Sequence, residues 1–206
     1  MIRFHDVEQG TPEWKAIRHM LWTGYTSIRL MTGKRLMPDS DWDGNDSTRR
    51  GHALEVAAIR EYEREYNCKV QRPGFVTNSV YPNAGFSPDG IDRAWLLECK
   101  ALAEMRHKGL ISDKMSLKDL EGIVASKIPL QYKVQIFFGM IITGKRKARL
   151  LAFNPEIVDE KQLIVVEIGY DRIIGDRIRK LLRLDLKKRL ADGSVADELG
   201  LIRIAV

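Results

Sequence analysis

Ser87-Pro88-Asp89-Gly90, followed after seven residues by Glu98-Cys99-Lys100, is the stretch on which the reading of this chain turns. Asp89 follows the run Ala84-Gly85-Phe86, and Asp89-Gly90 reads as a turn, because glycine takes positive φ without a Cβ clash. The chain is expected to reverse there. Ala94-Trp95-Leu96-Leu97 then reads as a strand entering the core, and Glu98 and Lys100, two apart, share one of its faces. A hairpin would bring that face back beside Asp89. Two carboxylates and the intervening carbonyl of Cys99 form an oxygen-rich set suited to Mg²⁺ or Mn²⁺, hard cations that prefer such ligands to thiols. Lys100 adds positive charge where a water must lose a proton, and the spacing is that of a metal-dependent phosphodiesterase. An Asp-Gly turn ahead of Glu-x-Lys also occurs in hairpins without catalytic duty, so the motif by itself leaves both readings open. What favours the first is position: both charges follow four apolar residues at the end of a core strand, where unpaired charge is costly and a compensating partner is expected.

Composition narrows the classes further. A chain of 206 residues, 44% hydrophobic and 30% charged, suits one domain with a full core. No apolar run approaches the roughly 18 residues that span a bilayer, and Met1-Ile2-Arg3-Phe4-His5-Asp6 lacks the apolar centre of a signal peptide. A cytoplasmic location with no membrane partner is expected. Cys68 and Cys99 are too few for a disulfide framework or a four-thiolate iron–sulfur cluster, which excludes the iron–sulfur nucleases. The net charge of +6 fits a polyanionic partner. Residues 172–190 hold Arg172, Arg177, Arg179, Lys180, Arg183, Lys187, Lys188 and Arg189 against Asp176 and Asp185, an excess equal to that of the whole chain. Lys145, Arg146, Lys147 and Arg149 form a second cluster; both clusters read equally as solvated faces.

Thr11-Pro12-Glu13 supplies an N-cap, a first-turn proline and an early acid, predicting a helix over 12–21 and a second one ending near Gly33. Residues 36–48, with Pro38, Gly44 and several aspartates, read as a loop able to order on substrate. Leu54, Ala57, Ala58, Ile59, Tyr62 and Tyr66 mark a long helix whose inner face also carries Glu55. Strands are predicted near 69–72, 74–79, 84–88 and 94–100, then a charged helical stretch over 101–127. Pro129 opens and Gly144 closes an apolar helix. Strands at 147–153 and 163–169 and a helix over 171–190 follow. This order is that of an α/β or α+β domain with a mixed central sheet flanked by helices, of which α/β is the expectation. In it the Asp89 turn, the Glu98 strand and an inward Glu55 can converge on one point.

Four motifs now resemble, in order and spacing over about 12–155, the phage lambda exonuclease and YqaJ-like viral recombinase exonuclease family of the PD-(D/E)xK nuclease superfamily. Trp14-Lys15-Ala16-Ile17-Arg18 looks like its Trp-x-x-x-Arg, and Gly51-His52-Ala53-Leu54-Glu55 like its Gly-x-x-x-Glu helix. Ser87 to Lys100 is similar to its catalytic core, and Tyr132-Lys133-Val134-Gln135 to its Tyr-x-x-Gln helix. The resemblance implies a restriction-endonuclease-like core and a single nuclease domain over 1–206, with a C-terminal strand and basic helix over about 160–192. It implies that Asp89, Glu98 and the Cys99 carbonyl hold metal, that Glu55 contributes to a second metal site, that Lys100 holds or helps deprotonate the attacking water, and that Gln135 orients water or Lys100. On its residue type alone, Gln135 reads equally as a buried, satisfied amide. Two Mg²⁺ ions are implied, with Mn²⁺ able to substitute; paired cations acidify water and stabilise the leaving oxygen.

The same resemblance makes Arg18 the residue that meets a 5′-phosphate, for which a guanidinium suits because it grips phosphate bidentately and stays charged. By its residues alone Arg18 is also an ordinary exposed position on an amphipathic helix. Where relatives carry Thr-Ala-Ser, this chain has Thr23-Gly24-Tyr25 followed by Thr26-Ser27, so Tyr25, Thr26 and Ser27 are the candidate hydroxyls. About ten positions before Asp89, where the lambda enzyme has a further acid, stand Asn78 and Ser79. Arg49 and Arg50 either guide the separating strand or cap a helix in solvent. The implied substrate is double-stranded DNA with 5′-phosphorylated ends, digested 5′ to 3′ to leave 3′ overhangs for recombination by single-strand annealing. A homotrimeric ring, a single-strand annealing partner and a phage or prophage origin in a bacterial host are implied too. The rival readings are an endonuclease of the same superfamily and a non-catalytic DNA-binding module.

Overall fold

The computed structural model describes residues 1–33, 46–101, 128–155 and 162–191. In chain order these residues form β1 (Ile2–His5), α1 (Pro12–Arg18), α2 (Gly24–Thr32), α3 (Asp46–Tyr66), β2 (Phe75–Asn78), β3 (Tyr81–Phe86), β4 (Gly90–Asp92), β5 (Trp95–Ala101), α4 (Leu130–Thr143), β6 (Lys147–Phe153), β7 (Leu163–Gly169) and α5 (Arg172–Ala191). The strands make two sheets, an antiparallel β1-β2-β3 and a mixed β4-β5-β6-β7 in which β5 and β6 run parallel. A parallel pair needs a crossover, and α4 lies on it.

The apolar sequence of α4 explains its place. Val134, Ile136, Phe137, Phe138, Met140 and Ile142 are all buried, so the helix is apolar on nearly every side and must be enclosed. It packs against α2, α5, β2, β3 and β5. Alternation along β5 separates two cores: Leu96 joins the one around α4, whereas Leu97 and Cys99 join Ala58, Ile59 and Tyr62 of α3 on the other face. Glu98 and Lys100 therefore continue the Leu96 face.

The basic helix α5 buries Gly175, Ile178 and Leu182. Asn83 of β3 donates through Nδ2 to the Leu182 carbonyl at 3.1 Å and to Asp185 Oδ2 at 2.8 Å. Arg189 pairs with Asp185 at 2.7 Å and also donates to the Met20 carbonyl, so the end of α5 is tied to the turn between α1 and α2.

The reversal expected at Asp89-Gly90 lies elsewhere. Gly90 pairs with Leu97 and Asp92 with Trp95, so the hairpin turns at Arg93-Ala94, where Arg93 takes φ of 37°. Gly90 is required by packing instead: a Cβ there would stand 2.6 Å from Val70 Cγ1. The predicted strand over 69–72 is only a bridge between Gln71 and Ile91, α1 stops at Arg18, and β1 is an edge strand the sequence reading did not include. Gly33 and Gly144 do close α2 and α4, both left-handed at φ of 68° and 69°. Positions 36–45 of the predicted loop and 102–127 of the predicted charged helix lie outside the described residues; 46–48 begin α3. No helix among the described residues is long and apolar enough to cross a membrane.

Candidate active site

The end of β5 gathers charge that the core would otherwise exclude. Glu98 is fully buried, its Oε1 lies 2.5 Å from Lys100 Nζ, and its Oε2 has no hydrogen-bond partner among the described residues. Asp89, in the link between β3 and β4, accepts the Cys99 backbone N–H on Oδ2 at 2.7 Å. That bond fixes the first carboxylate to the strand that carries the second. Lys100 Nζ stands 5.4 Å from the centre of the Tyr132 ring on α4, which walls the site on the helix side.

From α3, Glu55 comes within electrostatic reach of Asp89 and Lys100. Burial and then repulsion from Asp89 push its carboxyl up to about 8, against the pull of Lys100 and Arg72. Burial likewise pushes Glu98 upward, opposed by Lys100. The ammonium of Lys100 would be weakened by its burial, but Glu98 and Asp89 outweigh that and hold it charged. Three carboxylates thus share the field of one buried lysine.

Such a set fits a hard cation. Glu98 Oε2 is an orphaned buried carboxylate oxygen, and native interiors rarely leave one without a partner. Among the described residues no three His, Cys, Asp or Glu side chains cluster as a complete cage. A cation here would draw on the Asp89 and Glu98 carboxylates, the sparse protein share that Mg²⁺ takes when water and phosphate supply the rest.

A second group of residues adjoins this edge through Trp14. Thr11 caps α1 by accepting the Trp14 N–H, and the Trp14 indole N–H bonds Ser87 Oγ at 2.9 Å and the Gly74 carbonyl at 3.2 Å. Arg18, one turn later, lays its guanidinium over the Trp14 ring at 4.0 Å. Arg18 and the Ser87-Pro88-Asp89 link are therefore coupled through one indole. Tyr25 and Thr26 of α2 are half-buried, but the Tyr25 hydroxyl itself is enclosed and does not face an open phosphate-binding surface. Ser27, by contrast, is 1% exposed and accepts the Trp22 indole N–H at 2.8 Å, so it belongs to the core and not to an open phosphate-facing surface. Gln135 is half-buried on α4, one turn after Tyr132, with its stem beside Gly24 of α2. The side chains of Arg49 and Arg50 lie outside those described.

Two features at the site were not read from the sequence. Tyr132 was noticed only as a motif position, although its ring borders Lys100. Arg72 donates from Nε to the Asp89 carbonyl at 3.3 Å. A lone arginine before Pro73-Gly74 carries no pattern that periodicity detects. Elsewhere, α5 bounds an open groove of about 700 Å³ lined by Asp176, Arg179, Lys180, Arg183, Leu184 and Lys187, none of them among the site residues.

Residues 3–146 match the YqaJ-like viral recombinase domain family. Among solved structures the chain is similar to LHK-Exo in complex with dAMP, at 19% identity over 88% of this chain and 94% of that one, with a TM-score of 0.62. It is similar also to an alkaline exonuclease, LHK-Exo, from Laribacter hongkongensis, at 20% identity, 88% and 94% coverage and a TM-score of 0.61. A phage related exonuclease from Haemophilus somnus 129PT aligns at 16% identity, 86% and 85% coverage and a TM-score of 0.50. At these identities the likeness establishes the fold, a mixed α/β arrangement of sheets flanked by helices shared with these exonuclease structures. No curated protein matches the sequence.

Proposed function

This chain belongs to the YqaJ-like viral recombinase domain family, and from that premise we propose that it is a divalent-metal-dependent 5′ to 3′ exonuclease acting on one strand of linear double-stranded DNA. The observation that carries the reading is the buried Asp89–Glu98–Lys100 edge with its orphaned Glu98 oxygen. In this reading the whole chain serves as one nuclease domain. Asp89, Glu98 and the Cys99 carbonyl would hold the cation, with Glu55 contributing to a second one, and Mg²⁺ or Mn²⁺ suits these oxygens. When bound, such cations acidify water and stabilise the charge that develops on the phosphate.

The remaining work falls to the chain. Lys100, held as an ammonium by its carboxylate neighbours, orients the attacking water and offsets phosphate charge. Tyr132 keeps solvent from one side of that ammonium, and Gln135, a turn beyond, would position water or Lys100. Arg18 would grip a terminal 5′-phosphate, aided by Thr26, while Trp14 links it to the segment that leads into Asp89. An enzyme that reads the end and cuts beside it needs such a link. The 3′ overhangs would feed recombination by single-strand annealing, with an annealing protein as partner and a homotrimeric ring as the working assembly. A phage or prophage in a bacterial cytoplasm is the setting that fits.

Digestion of linear duplexes bearing 5′-phosphate or 5′-hydroxyl ends, with and without Mg²⁺, and of a covalently closed circle tests this directly. The expected result is Mg²⁺-dependent shortening of the 5′-phosphorylated strand and an intact circle. Cutting of the circle would replace the reading with an endonuclease.

A further inference from the structure

We propose that Arg72 is a DNA-binding residue of this site, taking a backbone phosphate at the mouth of the Asp89–Glu98–Lys100 edge. The inference deepens the nuclease reading and rests on it. The segment that bears Arg72 is fixed: Gln71 exchanges both backbone hydrogen bonds with Ile91, at 2.9 and 2.8 Å, and Pro73 follows. Its backbone is thus locked beside the strand that leaves Asp89. The side chain is exposed, and its Nε donates to the Asp89 carbonyl at 3.3 Å, which brings the guanidinium to the edge of the site.

What singles Arg72 out is what it does not do. It stands near enough to Glu55 to pull that carboxyl's ionisation, yet among the described residues it forms no ion pair with Glu55, Asp89 or Glu98. An arginine beside three carboxylates ordinarily closes on one of them, as Arg149 and Arg189 do on Glu167 and Asp185. Here Nε is spent on a neutral carbonyl, and the two terminal nitrogens have no protein partner among the described residues. They present the planar fork that matches phosphate oxygens. The need is evident from charge: a phosphodiester approaching Glu55, Asp89 and Glu98 meets negative potential, and the ammonium of Lys100 is already engaged by Glu98 at 2.5 Å. Among the described residues, Arg72 is a cation at the mouth whose terminal nitrogens have no protein partner.

The competing role is a tether that merely steadies the Asp89 backbone, and salt dependence separates the two. Binding of a fluorescent 5′-phosphorylated linear duplex would be followed by anisotropy across a salt series, with Ca²⁺ replacing Mg²⁺ to hold the complex uncut. Arg72→Ala is expected to weaken binding about 10-fold and to lower the slope of log K against log salt by about 0.9, one phosphate contact. Arg72→Lys, which keeps the charge and loses the Nε tether, should keep the wild-type slope. Slower Mg²⁺-dependent cleavage by Arg72→Ala with an unchanged slope would overturn the proposal in favour of the tether. Wild-type affinity and slope in Arg72→Ala, while the unmodified protein digests the duplex, would overturn it and leave the nuclease reading standing. If the unmodified protein neither binds nor cuts the duplex, both fall together.

Discussion

The two ends of β5 carry buried charge in opposite conditions. At its start, Arg149 is almost wholly enclosed, at 13% side-chain exposure, yet every part of it is engaged. It pairs with Glu167 through two nitrogens at 2.7 and 3.2 Å, donates to the Tyr62 hydroxyl at 2.7 Å, and lies over the rings of Trp95 and Tyr66 at 4.1 and 4.5 Å. Tyr62 in turn donates to Asp92 at 2.9 Å, while Lys147 adds a second cation 5.2 Å from the Trp95 ring. Cations and carboxylates are equal in number there, although Asp92 Oδ1, like Glu98 Oε2, is buried without a hydrogen-bond partner among the described residues. At the far end Glu55, Asp89 and Glu98 face Lys100, with Arg72 at the rim, and two of the three carboxyls are pushed toward their neutral form. A network whose opposite charges are matched stiffens a fold, whereas one with an excess of carboxylates stores demand for an outside charge. The Arg149 end therefore reads as structure and the Lys100 end as function, although both would look alike in a tally of buried ions.

Substitutions at the two ends should fail differently. Lys100→Ala is expected to cut the rate of DNA cleavage at least about 10²–10³-fold, the scale of losing one preorganised charge donor, while denaturant unfolding stays near that of the unmodified protein. Glu98 can take up a proton when its partner leaves, which limits the structural cost. Arg149→Ala should do the reverse, costing about 1–2 kcal/mol in urea unfolding because a guanidinium stacked on Trp95 and Tyr66 and bonded to Tyr62 has been removed, while Glu167 stays solvated. Its cleavage rate per folded molecule should hold. If Arg149→Ala slows cleavage as severely as Lys100→Ala without unfolding the chain, the two ends are one functional unit and the contrast is broken.

Sequence patterning made much of this legible, and its failures have physical causes. The periodicities of α3 and α4 identified the helices that enclose β5 because burial on those faces is nearly complete. The two-residue spacing of Glu98 and Lys100 placed both on one face, and their 2.5 Å contact agrees. Gly90 misled because a glycine after aspartate signals a turn, while here the missing side chain lets β4 approach Val70 and Ile59. β1 escaped because Ile2-Arg3-Phe4-His5 is a short edge strand, with two of its four positions exposed and too little burial to impose a pattern. Ser27 looked like a surface hydroxyl because nothing in Thr26-Ser27 announces that Trp22, five residues earlier, turns its indole N–H inward to meet it. Arg72 owes its place to the bridge between Gln71 and Ile91, a contact across twenty residues of chain that no local window contains.

The contrast also sets a pH dependence. Burial first, and then the charge of Asp89, raise Glu55 to about 8, and burial raises Glu98 as well, so below that pH the protonated forms dominate. A cation held by these oxygens must displace the protons. Its affinity is therefore low at acid pH, rises as pH passes through about 8, and levels off above it. With one proton displaced per ion from a group titrating at about 8, the dissociation constant should tighten about 5-fold between pH 7 and 8. Titration calorimetry with Ca²⁺ in two buffers of different ionisation enthalpy counts the released protons, and at least one per ion is expected at pH 7. Glu55→Gln should flatten part of this profile, since its amide has no proton to lose. Arg149→Ala should leave the profile unchanged, because the balanced end has no share in the cation. Binding that releases no proton at pH 7 would mean the carboxylates are already ionised, and the charge imbalance that separates the two ends would not exist.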